Sequence, residues 1–170
     1  MIGITGTPGT GKTSLAKALR ALGHSVLDLK TTVGPFVEYH DAKCDSDIVD
    51  VDKWADSFEP VDGFVEGAFA HYLACDKIII LRCRPDVLEA RLAPRGYAPA
   101  KIRENCEAEA LDIILCEAAD AFEPQQIYEI DTTCMSIDAI TAQVLAFAED
   151  KLPAAFGSLD FSEYVMQYES

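Results

Sequence analysis

Positive charge is scarce in this sequence. Its 170 residues carry 14 Lys and Arg against 29 Asp and Glu, a formal net charge of −15. A surface of that sign repels nucleic-acid phosphates at long range, which argues against direct DNA binding and favours a basic protein partner. The same charge keeps a chain soluble, including in a salty cytoplasm. Histidine is rarer still, at three residues, and no two of the six cysteines stand in C-x-x-C spacing. Those absences argue against a zinc site and for reduced, mostly packed thiols in a reducing compartment. No apolar run nears the ~20 residues that cross a bilayer. The opening stretch MIGITGTPGTGK has neither a basic region nor a small-residue cleavage site, so no signal peptide is expected. The expected location is the cytoplasm, with no membrane association. Internal repeats and low-complexity tracts are also lacking.

Apolar residues nonetheless make up 49 % of the chain, enough for one folded domain over residues 1–170. Short apolar runs alternate with helical patterns. Met1–Thr5 reads as a buried strand, and Lys12–Leu22 as a helix with Leu15, Ala18, Leu19 and Leu22 on one face and Gly23 as its stop. Ser25–Leu29, Gly63–Val65 with Glu66 at its end, Lys77–Arg82 and Ile127–Ile130 supply four more strands. Pro85 opens a helix. Ala100–Phe122 reads as one long helix with Ile102, Cys106, Ala110, Ile113 and Ile114 as its buried stripe. Ser136 caps a last core helix that runs to about Glu149. Thr31–Asp62 is different: it mixes Gly, Pro and acids around a weak helical stretch at Val51–Phe58, and reads as an inserted substrate-binding segment. The tail after Pro153 has no pattern that places it. Strands and helices in alternation give βαβ units, hence an α/β fold of three α/β/α layers around a five-stranded parallel sheet. Ligands in such folds sit beyond the carboxyl ends of the strands, where Thr5, Glu66 and Arg82 all lie.

Gly6-Thr7-Pro8-Gly9-Thr10-Gly11-Lys12-Thr13 fits G-x-x-x-x-G-K-[ST] in full, with a strand before it and a helix after it. The glycines let the backbone turn its N–H groups inward, and the helix adds its positive end. Lys12 can reach β- and γ-phosphates, and the Thr13 hydroxyl can ligate Mg²⁺. ATP with Mg²⁺ is the expected ligand pair. The loop alone does not choose between a motor, a switch and a kinase. Glu66, ending the third strand, stands where an acid can hold Mg²⁺ partly through water, or position an attacking group. His71 lies close to it in sequence and reads equally as catalytic or structural. Arg82, Arg84, Arg91, Arg95 and Arg103 fall within 22 residues. Guanidinium groups stabilise the charge that spreads over a moving phosphoryl group. Arg91 precedes and Arg95 lies within Ala93-Pro94-Arg95-Gly96-Tyr97, a breaker segment suited to a short lid that excludes water.

With these features in order, the chain resembles the adenylate kinase isoenzyme 6 family, small P-loop kinases of archaea and eukaryotic nuclei. The likeness covers roughly residues 1–150. It rests on the loop at 6–13, the acidic stretch Asp45-Ser46-Asp47-Ile48-Val49-Asp50, the strand end at Glu66, the run Leu88–Leu92 into Arg95-Gly96-Tyr97, and Glu104-Asn105 beyond. The resemblance implies adenylate kinase activity, ATP + AMP ⇌ 2 ADP, with tolerance for other nucleoside monophosphates (NMPs). It also implies ATPase activity and a role in small ribosomal subunit maturation through ribosomal protein uS11. It places ATP contacts at Gly9, Gly11, Lys12, Thr13, Ser14 and Arg95. An NMP-binding insert would span about residues 29–51 and a short lid about 94–104. Catalytic roles then fall to Lys12, Arg95, Glu66 and Arg91, and metal contacts to Thr13 and Glu66. An ATP-dependent assembly factor with little kinase activity, and a small-metabolite kinase on the same fold, are the competing readings. One position departs from the family pattern: Ala68 stands where the family carries a histidine linked to ATP hydrolysis.

Overall fold

A computed structural model describes residues 1–41 and 46–166. Cys44, one of the six cysteines, and Asp45, which opens the acidic stretch, lie outside the described residues.

In chain order the elements are β1 (Ile2–Thr5), α1 (Lys12–Ala21), β2 (Val26–Asp28), β3 (Val37–Asp41), β4 (Ser46–Val49), α2 (Val51–Ser57), β5 (Phe64–Glu66), β6 (Lys77–Arg82), α3 (Pro85–Leu92), α4 (Pro99–Ala110), α5 (Ile113–Ala121), β7 (Ile127–Asp131), α6 (Ile137–Ala148) and α7 (Glu163–Met166). Five strands form one parallel sheet in the order β2-β5-β1-β6-β7, as the alternating pattern predicts.

The two sides of β6 show how the layers form. Ile78 and Ile80 point to one side, into a core with Leu29, Trp54, Val65, Leu115 and Ala118. Ile79 and Leu81 point to the other, into a core with Leu15, Leu19, Ile140, Val144 and Phe147. A strand apolar at every position is buried on both faces, with α2 and α5 over one and α1 and α6 over the other. Gly23 ends α1 with φ of +91°, a left-handed conformation that glycine adopts without steric cost.

Three features depart from the sequence reading. The insert contains an antiparallel pair, β3 with β4, that no alternating apolar pattern announces. The expected helix over Ala100–Phe122 is two helices. Asp112 breaks it with φ of +56°, and its carboxylate accepts from Arg82 Nη2. A residue that tolerates the left-handed region and is drawn inward by a buried cation ends one helix and starts another. The buried stripe changes with it: Cys106 and Ala110 are buried as expected, but Ile113 is 43 % exposed and Leu115 and Ala118 turn inward instead. Finally, the tail after Pro153 packs on the domain. Ala155 bridges Tyr128 in β7, Phe161 covers the Arg82 guanidinium at 5.4 Å, and Tyr164 packs beside Leu88, Leu92 and Cys106.

Candidate active site

The phosphate loop connects β1 to α1 at the carboxyl edge of the sheet. Its shape needs glycine. Gly6 has φ of +140°, and a Cβ there would lie 2.3 Å from the Leu81 carbonyl oxygen. Gly11 has φ of +113° with open space around it. The first turn of α1 has no side-chain cap and no acid, which leaves its N–H groups and positive end to an anion. Thr10 closes the loop on itself: its N–H and hydroxyl both donate to the Thr7 carbonyl, at 3.2 and 2.9 Å. Lys12 Nζ donates to the Gly6 and Thr7 carbonyls, so the ammonium lies folded back over the loop.

A cavity of about 330 Å³ opens above this loop. It is lined by Gly9, Gly11, Lys12, Thr13 and Ser14 from the loop and α1, by Asp28 at the end of β2 and Lys30 beyond it, by Glu66 at the end of β5 and Gly67 and Ala68 beyond it, and by Arg95 and Tyr97 from the turn between α3 and α4. The phosphate-loop residues, Glu66 and Arg95 thus line one cavity. Asp28 is the lining acid that sequence reading missed. Parallel pairing sets it level with Glu66, and the rule that ligands lie beyond strand ends is the signal that points to it.

The electrostatics of the cavity are strained in a useful direction. Withdrawal from water lowers the Lys12 pKa to about 8, against the opposing pull of Glu66 and Glu109. Burial, then the Asp28 charge, raises the Glu66 pKa. An ammonium that has lost hydration gains more from a bound anion than an exposed one does. The free protein keeps the Lys12 charge below pH 8 and loses it above. A bound triphosphate favours the charged form and raises that pKa. ATP binding is therefore expected to take up a proton above pH 8, and affinity to fall by up to about tenfold per pH unit there. Calorimetry in buffers of different ionisation enthalpy checks this; equal heats in all buffers at pH 8.5 would count against it.

The other sequence candidates lie elsewhere. Arg91 is behind the loop, not in the cavity: its Nη2 donates to the Thr132 and Thr133 carbonyls at 2.8 and 3.2 Å. Arg82 is 2 % exposed and bonds Glu109, Glu129 and Asp112. Arg84 pairs with Asp86 and Arg103 with Glu107, both exposed at the surface. His71 is buried beneath the site. Its Nδ1 lies 3.1 Å from the Thr5 hydroxyl and its Nε2 lies 2.9 Å from Glu117, so it is held away from the cavity that Ala68 lines.

Mg²⁺ suits the oxygens present. It takes hard oxygen ligands and is held by one or two carboxylates plus substrate phosphates. Thr13, Glu66 and Asp28 line the cavity. No group of three or more His, Cys, Asp or Glu that could hold a metal ion occurs among the described residues. No helix among the described residues is long and apolar enough to cross a membrane.

This sheet order, with a glycine loop, a folded-back lysine and a strand-end acid at one edge, defines a P-loop NTPase fold of the α/β class. Comparisons with known proteins agree. A family model described as an AAA domain matches residues 2–112. A protein of Natronomonas pharaonis named "Putative adenylate kinase" is 37 % identical over 166 residues, covering 96 % of this chain and 99 % of that one. One of the same name from Halobacterium salinarum is 42 % identical over 169 residues, with the same coverage. A solved deoxyadenosine kinase from M. mycoides shares the fold, with a TM-score of 0.58 at 14 % identity over 88 % of this chain and 98 % of that one. The chain belongs to the family its motifs resemble, the adenylate kinase-like P-loop proteins of the isoenzyme 6 type.

Proposed function

We propose that the protein is a nucleoside monophosphate kinase that moves the γ-phosphoryl group of ATP to AMP and yields two ADP. The observation that carries this reading is the single cavity in which Lys12, Thr13, Glu66 and Arg95 meet Asp28 and Lys30. The loop supplies triphosphate-binding groups, and Lys30, at the start of the insert, lines the same cavity. The names of the relatives support AMP as acceptor.

The loop N–H groups and the first turn of α1 receive the β- and γ-phosphates. Lys12 exchanges the Gly6 and Thr7 carbonyls for phosphate oxygens. Arg95 approaches from the turn between α3 and α4, within the short lid of about residues 94–104, and excludes water as it adds charge. Mg²⁺, held by Thr13 and through water by Glu66, would neutralise the β- and γ-oxygens. Lys30 lines the cavity and is the contact for the acceptor phosphate, whereas Lys53 is engaged by Asp50. The chain's own part is to hold two nucleotides in line and neutralise the group that passes between them.

Coupled measurement of ADP formation tests the reading. ATP plus AMP is expected to give ADP far faster than ATP alone; hydrolysis indifferent to AMP would sink it. ATPase activity is the weaker side of the proposal, because Ala68 supplies no proton-transfer group and His71 lies beneath the site. Ala68→His is expected to raise hydrolysis without AMP by about tenfold or more. An unchanged rate would mean that this position does not control hydrolysis. The net charge of −15 also supports a basic partner such as ribosomal protein uS11, with the small ribosomal subunit as the place of action. Nucleotide-dependent capture of purified uS11 tests that part separately.

A further inference from the structure

We propose that Glu109 is a positioning residue that sets the triphosphate-binding shape of the phosphate loop through Thr7. The proposal rests on the loop binding a triphosphate and not on which acceptor takes the phosphoryl group.

Thr7 occupies one of the variable positions of the loop motif, so the motif gives it no role. In the structure it is the joint of the loop. Its carbonyl accepts from the Thr10 N–H, from the Thr10 hydroxyl and from Lys12 Nζ, at 3.2, 2.9 and 3.0 Å. Its own hydroxyl is buried and donates to Glu109 Oε2. Glu109 belongs to α4, more than a hundred residues away, and is 2 % exposed. Its other oxygen accepts from Arg82 Nε at 2.7 Å and from the Cys83 N–H at 2.9 Å. One buried carboxylate therefore ties the loop to the end of β6 and to the helix that follows the lid.

Charge makes this tie strong. A hydroxyl donating to a carboxylate that is itself held by a guanidinium forms a charge-assisted bond in a site closed to water. The bond fixes the residue that gathers the loop's internal bonds and cradles the folded-back lysine. Arg91 adds a second tie from α3. It grips the Thr132 carbonyl, and the Thr132 hydroxyl lies 2.8 Å from the Thr10 carbonyl. The helices on either side of the lid thus each hold one point of the loop. Removing the Thr7 bond is expected to loosen the loop before it loosens the domain, so the cost falls on triphosphate affinity.

The test is equilibrium binding of MgATP without acceptor, and of AMP alone, to the wild-type protein and to Thr7→Val, Thr7→Ser, Glu109→Gln and the Thr7→Val/Glu109→Gln double variant. Thermal unfolding establishes that each is folded. Thr7→Val keeps the shape and removes the hydroxyl. It is expected to weaken MgATP about tenfold, with AMP affinity unchanged within about twofold. Thr7→Ser restores binding to near the wild-type value. Glu109→Gln weakens MgATP similarly, and the double variant is no weaker than the worse single, as for two residues acting through one bond. Wild-type affinity in Thr7→Val, equal loss for both nucleotides, or single effects that multiply in the double variant would overturn the proposal. Should Glu109→Gln fail to fold, the Thr7→Val and Thr7→Ser comparison still decides. Failure of the wild-type protein to bind MgATP would instead refute the kinase reading on which the proposal stands.

Discussion

Lys12→Ala is expected to abolish phosphoryl transfer and to leave the fold intact. The expected fall in kcat is at least about a thousandfold, on the scale of losing one preorganised charge at the reacting centre. The reason is local. Lys12 is the lining cation that sits directly over the loop, folded back onto the Gly6 and Thr7 carbonyls. Its ammonium has already lost hydration, so a phosphate oxygen that replaces those carbonyls meets a charge with little solvent to displace. Alanine is a strong helix former at the first position of α1, and the loop retains its Thr10 bonds to Thr7. The thermal transition should therefore stay within a few degrees of wild type. A steady-state assay with ATP and AMP, read beside a melting curve, gives both quantities. Residual activity above a tenth of wild type would mean that the loop is not the working site.

Arg82→Met produces the opposite pattern, with stability lost first. Arg82 gathers Glu109, Glu129 and Asp112 around one guanidinium and also bonds the Glu109 carbonyl at 2.9 Å. Glu109 and Glu129 are as buried as Arg82 itself. Methionine fills the stem's volume but leaves those carboxylates without a counter-charge. Breaking one partner out of a buried ion pair costs ~3–5 kcal/mol. In a domain of this size that is a fall in melting temperature of about 10 °C. Arg103→Met is the control: its pair with Glu107 is exposed at 3.6 Å and should cost less than ~0.5 kcal/mol. Differential scanning calorimetry on the two variants separates the cases, and equal melting temperatures would contradict the assignment of Arg82 as a structural hub.

The contrast between Lys12 and Arg82 shows what was legible in the sequence. Lys12 is read from a motif that specifies its own strand, turn and helix, so its place follows from seven neighbouring residues. Glu66 is read from topology, since a short apolar run ending in an acid becomes a strand with a carboxylate at the ligand edge. Arg82 also ends a strand, yet its side chain turns away from the cavity. Its parity with Ile78 and Ile80 places it on the α5 side of the sheet, and the carboxylates that receive it come from α4, from β7 and from the break at Asp112. No local pattern shows such a meeting. The same cause hides the break itself, because helix-favouring residues continue through Leu111, and the inward pull on Asp112 is tertiary. The β3–β4 pair was illegible for another reason. Glu38, Tyr39 and His40 in succession are exposed, and strands with little buried face carry no alternation to read. Thr7 and Glu109 needed both kinds of information: the loop was visible, but not the residue that braces it.

The most direct test of the account follows the phosphoryl group itself. ATP labelled at the γ-position is incubated with AMP, Mg²⁺ and the protein, and the products are separated. Label appearing at the β-position of ADP, dependent on AMP and lost in Lys12→Ala, is the predicted result. Label released only as inorganic phosphate, at a rate that AMP does not change, would contradict it.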